Sequence, residues 1–265
     1  MPLTEFQTAT LRLLAARRTP DSFLAGGTVL NAGPDTPRYS RDLDIFHDLE
    51  TSVVTSAAAD AASLQQAGYT VEWLLRQPLF QRADVSRDHS HLLIEWVFDS
   101  AFRFFPVEPD VLTGWRLNLY DAATNKLLAL MGRGEPRDYL DVLHFHQHHL
   151  SLGALCWAAA GKDPGVNPFM ILQECQRTTH FRPEQFHDLQ LAAPLDLPRW
   201  KQTWMAASRE AEALLPRLPA EEVGCLYLDA NHRPVTPHPG AADFSGLRRH
   251  FGSVRGAWPV LRSQP

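Results

Sequence analysis

Aspartate is depleted inside β-strands, yet residues 41–46 read Arg-Asp-Leu-Asp-Ile-Phe, with acid and aliphatic side chains in alternation. Successive side chains of a strand point to opposite faces, so this segment predicts a strand with Asp42 and Asp44 on one face. Leu43 and Ile45 fall on the other. Two aspartates bracketing Leu43 in an otherwise apolar segment ask for a reason. Carboxylates at i and i+2 can share hard divalent cations, because Mg2+ prefers oxygen ligands and completes its shell with water and substrate phosphates. The plainer reading is a solvated strand end, but clustered like charges more often mark a site.

The neighbouring segments fit the same chemistry. Phe23-Leu24-Ala25 runs into Gly26-Gly27 and then Thr28-Val29-Leu30. Two glycines before a helix let the backbone approach phosphate oxygens and direct amide N–H groups at them. Without the aspartates this would be an ordinary turn. The strongest strand signal is Leu92 to Asp99 (LLIEWVFD), which places Glu95, Val97 and Asp99 on one face and Ile94, Trp96 and Phe98 on the other. Glu95 is then the candidate third carboxylate for a second metal site, with Asp99 as the alternative nearer the strand end. The competing reading of Glu95 is a charge that guards a sheet edge.

Helices are expected at 4–18 and 51–68, and strands at 70–75 and 80–84. Asp121 reads as the N-cap of a helix over 122–131, and a second helix runs from 136 or 137 to about 149. Beyond Leu150 the pattern is mainly helical, at 152–160, 168–177 and 198–215. A hairpin is expected within 224–235, turning near Ala230-Asn231, and a last short helix at 244–250. The composition shift near residue 150 divides the chain into 1–150 and 151–265.

Of the 265 residues 45% are hydrophobic, enough for ample core, and no apolar run approaches the roughly 20 residues of a membrane span. The N-terminal segment reads as an amphipathic helix and not a secretion signal, so a cytoplasmic protein is expected. Three cysteines without CxxC spacing fit neither a disulfide framework nor a zinc knuckle. The net charge of −5 gives no footprint of a general nucleic-acid binder. His144 and His148 share a helix face but lack an HExxH pattern and a third ligand. Histidines near a helix C-terminus also suit its dipole.

The string LAGGTVLNAGPDTPRYSRDLDIF, followed by LYDAATNKLLALMGRGEPRDYLDV, resembles the two signature blocks of the DNA polymerase β-like nucleotidyltransferase superfamily, in particular the branch of abortive-infection AbiEii-type toxins. The likeness spans about residues 20 to 145. It implies an α/β (α+β) fold, a small mixed sheet with flanking helices, to which the pattern beyond Leu150 adds a mainly helical C-terminal domain. It also implies a divalent metal, Mg2+ or Mn2+, and transfer of NMP from an NTP to a hydroxyl. By position, Gly26, Gly27 and Thr28 match the phosphate-binding turn, Arg38 and Ser40 the polar residues before the acids, and Asp42 and Asp44 the metal pair. Glu95 stands where the family commonly has aspartate. Lys126 matches the lysine that meets the triphosphate, and Arg133, seven residues on, shares its helix face. Asp138 and Asp141 match the Arg-Asp-x-x-Asp element, in which Asp138 would position nucleotide or acceptor. Asp141 also suits pairing with Arg137 at i, i+4. The resemblance leaves the acceptor open among RNA such as tRNA, protein and a small molecule of the aminoglycoside type. It suggests a cognate antitoxin, and it allows a degenerate, non-catalytic nucleotide- or partner-binding module.

Overall fold

Thr4 accepts the amide of Gln7 at 3.1 Å while the Gln7 side chain takes the Thr4 amide at 2.9 Å, a reciprocal cap that starts α1 (Glu5–Ala15). The helix buries Leu11 and Leu14 and ends three residues before Arg18, the end expected from sequence. A computed structural model describes residues 3–33 and 35–259. They fall into two compact units. The first comprises the chain up to Ala101, Pro106–Ala122 and Gln190–Ala192; the second comprises Phe102–Phe105, Ala123–Leu189 and the chain from Ala193. The change after Ala122 falls ahead of the composition shift near residue 150.

The first unit runs β1 (Ser22–Ala25), α2 (Gly26–Leu30), β2 (Asp42–His47), α3 (Glu50–Gln66), β3 (Thr70–Gln77), β4 (Phe80–Arg87) and β5 (Ser90–Phe98). After β6 (Phe102–Arg103), which belongs to the second unit, come β7 (Glu108–Asp110) and β8 (Gly114–Arg116). The strands form one mixed seven-stranded sheet in the order β3-β4-β5-β2-β1-β8-β7. β2 runs parallel to β5 and antiparallel to β1, while β3, β4 and β5 form an antiparallel meander. The expected alternation holds: Leu43, Ile45 and His47 are buried, whereas Asp42, Asp44 and Phe46 are partly exposed. Leu92, Ile94 and Trp96 of β5 join the same core as Leu11 and Leu14 of α1 and Val53, Ala57 and Leu64 of α3.

One polar network crosses that core. Asp60, fully buried in the alanine-rich α3, takes Arg18 Nη2 on both carboxylate oxygens at 2.6 Å and Trp96 Nε1 at 2.7 Å. Arg18 Nη1 donates to Ser22 Oγ at 3.0 Å, and Ser22 Oγ lies 3.1 Å from His47 Nε2. Burial, and then the charge of Arg18, push the His47 imidazole down to about 4.

α4 (Leu119–Arg133) starts earlier than expected. Asn118, not Asp121, accepts the Tyr120 amide at 3.0 Å, and Asp121 is buried in the first turn. A cap-forming side chain three residues upstream of the expected one takes the role. α5 (Pro136–His148) opens on its proline, and the second unit continues with α6 (Leu152–Ala159), whose every residue is buried, α7 (Pro168–Thr178) and α8 (Leu197–Leu214).

The expected hairpin and last helix are both corrected. Asp229 Oδ1 accepts the amides of Asn231 and Arg233 and makes the turn, but past it only a Leu228–Pro234 bridge forms. β9 (Cys225–Leu228) pairs instead with β10 (Arg248–Phe251), where the helix was expected; a single 3-10 turn, Phe244–Gly246, precedes it. Arg249 reaches Glu222 at 2.7 Å and His250 reaches the Phe104 carbonyl at 2.8 Å, long-range partners that hold the segment extended. β11 (Ser253–Val254) then pairs with β6.

Two outcomes follow from the buried network. Asp60→Ala leaves the Arg18 guanidinium and the Trp96 N–H buried without their acceptor, and is expected to lower stability by about 3–5 kcal/mol in urea titrations. Because His47 binds its proton less readily when folded than when unfolded, stability should be constant above its ordinary range near 6.5. It should fall by about 3 kcal/mol as pH drops from there towards 4. Unfolding measured across this range should show that component absent from His47→Gln.

Candidate active site

The strand register gathers the acids. Ala25 pairs with Asp44 across β1 and β2, Asp44 with Glu95 across β2 and β5, and Glu95 with Arg82 across β5 and β4. These residues form one row over neighbouring strands about 4.8 Å apart, on the sheet's partly open face. Asp42, two residues earlier, lies on the same face opposite Leu93. Glu95 therefore stands beside Asp44, and its carboxylate is engaged: Arg82 Nε donates to Oε1 at 2.8 Å and Nη2 contacts the same oxygen. The Arg82 guanidinium also sits 5.4 Å over the Phe80 ring. Sequence reasoning missed Arg82, because only the antiparallel register of β4 on β5 sets it opposite Glu95.

The glycine turn is fitted against the same patch. Gly26 has φ +65°, and a Cβ there would fall 1.8 Å from Asp44 Oδ2, so both conformation and space demand glycine. A Cβ on Gly27 would fall 2.8 Å from an Arg38 Nη2 and 3.2 Å from Ser40 Oγ. Gly26, Gly27, Arg38, Ser40 and Asp44 thus form one cradle. Thr28 Oγ1 and Ser40 Oγ both donate to the Asp42 carbonyl, at 2.9 and 3.2 Å, and so fix the backbone that carries the acid pair. Gln7 of α1 donates to the Ser40 carbonyl at 2.7 Å. The Tyr39 amide donates to Gln190 at 2.8 Å and the Ala192 amide to Pro37 at 3.0 Å, further supports not foreseen from sequence.

Among the described residues, no three Asp, Glu, His or Cys side chains gather as a metal-holding group. The donor set on this face is the Asp42 and Asp44 pair with Glu95 alongside. Two carboxylates fit Mg2+, which keeps several waters and takes the rest of its shell from substrate phosphates.

In the second unit, Lys126 of α4 is buried and its Nζ lies 2.9 Å from Asp138 Oδ1 and 3.5 Å from Asp141 Oδ2. Arg133 closes a fork on Asp138, with Nε at 2.7 Å from Oδ2 and Nη2 at 2.9 Å from Oδ1. Burial opposes the charge on Asp138, but the Arg133 hydrogen bonds and the Lys126 charge outweigh it and hold the carboxyl below its usual range. The Arg-Asp-x-x-Asp element is therefore the counter-ion of the motif lysine. Of the histidine run, the His144 and His148 rings pack at 4.3 Å between centroids, tilted by 39°, and His148 Nδ1 lies 2.8 Å from the His144 carbonyl.

A mixed sheet bearing paired acids beside a glycine turn, joined in sequence to helices with a lysine–aspartate cluster, is the fold of a nucleotidyltransferase. Residues 12–223 match the family described as Nucleotidyl transferase AbiEii toxin, Type IV TA system, and the chain belongs to that family. Two solved structures share its fold. MenT4, a nucleotidyltransferase toxin from Mycobacterium tuberculosis H37Rv, is 18% identical with a TM-score of 0.55, covering 82% of this chain and 83% of its own. JHP933 from Helicobacter pylori is 16% identical with a TM-score of 0.52, covering 81% and 95%. No curated protein matches the chain significantly. No helix among the described residues is long and apolar enough to cross a membrane.

The fit of Gly26 against Asp44 is directly testable. Gly26→Ala is expected to displace the Asp44 carboxylate and weaken Mn2+ binding by roughly tenfold to a hundredfold, as measured by water-proton relaxation, with the far-UV circular dichroism retained.

Proposed function

We propose that this nucleotidyltransferase moves a nucleoside monophosphate from an NTP to a hydroxyl acceptor, with a divalent cation, Mg2+ or Mn2+, held by Asp42 and Asp44. What supports this most is the register that sets Glu95 beside Asp44, with Gly26 packed against the same carboxylate. When bound, the cation would neutralise charge on the attacking and leaving oxygens of an in-line displacement at the α-phosphate. Gly26 and Gly27 keep side chains out of the cradle so that the backbone can approach phosphate. Thr28 and Ser40 hold the Asp42 backbone in place. Glu95 is the third acid, standing beside Asp44 to complete the cation's shell and to help deprotonate the attacking hydroxyl through Oε2, the oxygen that the Arg82 hydrogen bonds do not use.

Lys126 and Arg133 are the cations assigned to the triphosphate, and Asp138 the carboxylate that positions them. Lysine suits that role as a compact charge with three donors. The acceptor proposed is RNA, with tRNA foremost, or protein, and a cognate antitoxin is the proposed partner. Incubation with each of four α-32P-labelled NTPs, Mg2+, and total cellular RNA or protein should label one acceptor pool. Asp44→Ala should lower that labelling by about a thousandfold, the loss of several kcal/mol of transition-state stabilisation. Equal labelling by the two proteins would overturn the assignment.

A further inference from the structure

Glutamate swings its carboxylate on three side-chain torsions, so a place on the right strand does not by itself aim Glu95 at the acid pair. Asp44 stands directly across on the neighbouring strand, and like charges so placed repel one another. Arg82 is the residue set opposite Glu95 on its other side, across β4 and β5. Its Nε, at 2.8 Å, and its Nη2 both donate to one oxygen, Oε1. The carboxylate has no other hydrogen-bond partner among the described residues, so Oε2 is uncommitted.

Arg82 is in turn directed to Glu95 by its surroundings. Its guanidinium lies 5.4 Å over the ring of Phe80, two positions back on the same face of β4. On the β3 side the residue opposite is Leu75, which offers it no charge. Asp84, the acid two positions on, is engaged by His91, whose Nδ1 lies 2.9 Å from Oδ2. The arginine is partly exposed while the glutamate is largely covered. A pair so open to solvent adds little to the stability of the fold, so orientation is the larger part of what it does.

We propose that Arg82 is a positioning residue for nucleotidyl transfer: it holds Glu95 by Oε1 and so presents Oε2 to the cation at Asp42 and Asp44 and to the attacking hydroxyl. The inference rests on the function proposed above and adds a residue that lies in neither the glycine turn, the acid pair nor the lysine–aspartate cluster. Metal-binding carboxylates are commonly held by such outer hydrogen bonds, and losing one costs about tenfold to a hundredfold in metal affinity or rate. The sign of the effect separates this role from that of a bystander charge. Arg82 lies two strand spacings, about 10 Å, from Asp44. A positive charge there repels a divalent cation, so deleting a bystander would tighten metal binding by about twofold or less at physiological salt. Deleting a positioning residue weakens it.

The Mn2+ affinity of the full chain, read by water-proton relaxation without nucleotide, should fall by about tenfold in Arg82→Leu and recover in part in Arg82→Lys. Glu95→Ala and the double variant Glu95→Ala/Arg82→Leu should bind Mn2+ alike, within about twofold, because Arg82 acts through Glu95. In the labelling reaction, Arg82→Leu should lower kcat by roughly tenfold to a hundredfold with the KM for NTP little changed, and should cost nothing further once Glu95 is replaced. Unchanged or tighter Mn2+ binding by Arg82→Leu overturns the proposal, as do losses that add to those of Glu95→Ala. A raised KM for NTP with kcat intact overturns it too, since that would put Arg82 on the triphosphate. If no acceptor pool is labelled by the parent, the transfer reading fails by itself, and the Mn2+ series still decides whether Arg82 positions Glu95.

Discussion

A buried ion pair beneath the sheet helps set which faces of β2 and β5 turn outward. Asp60 of α3 draws in Arg18 from the end of the first helical segment and the indole N–H of Trp96 from β5. With Trp96 committed to the core, strand alternation sends its neighbour Glu95 to the opposite face. On β2 the same logic applies: His47 and Ile45 face the core, so Asp44 and Asp42 emerge together. A slip of one residue in either strand would bury carboxylates and expose Leu43, Ile45 or Ile94. The charge network and the hydrophobic pattern therefore specify one register, and that register is what brings acids from two strands into a single row.

The two charged clusters of the chain differ in kind. Arg82 is 42% exposed while Glu95 is 15% exposed, so their ion pair is solvated from the arginine side and contributes modestly. Lys126, Asp138 and Asp141 are buried, and removing one partner there strands a charge at considerable cost. The first arrangement suits a contact that orients a side chain without fixing the fold. The second suits a rigid element whose geometry is set during folding.

How much of this was legible depended on range. The acid pair could be read from period-two alternation alone, and Glu95 from its place on the matching face of an apolar strand. Lys126 and Asp138 came only through the family resemblance, since no local pattern distinguishes a buried lysine from a surface one. Asn118 was not singled out because Asp121, another cap-forming residue three positions on, suits the same role in sequence. β10 was mistaken for a helix because its extended form depends on Glu222 and Phe104, far away in sequence. Asp60 did leave a signal: it is the one charge in the alanine run from Ala57 to Ala62, a residue type that rarely goes inside without a partner.

The strap formed by Gln190 and Ala192 on the loop of Pro37 and Tyr39 bears on how the protein comes into being. A ribosome that has released the chain as far as Ala122 has delivered all seven strands of the sheet and both acids. It has not delivered the two backbone partners that steady the loop ahead of Asp42. The loop ahead of the acid pair thus receives its last backbone partners only from residues that follow the whole sheet by about seventy positions.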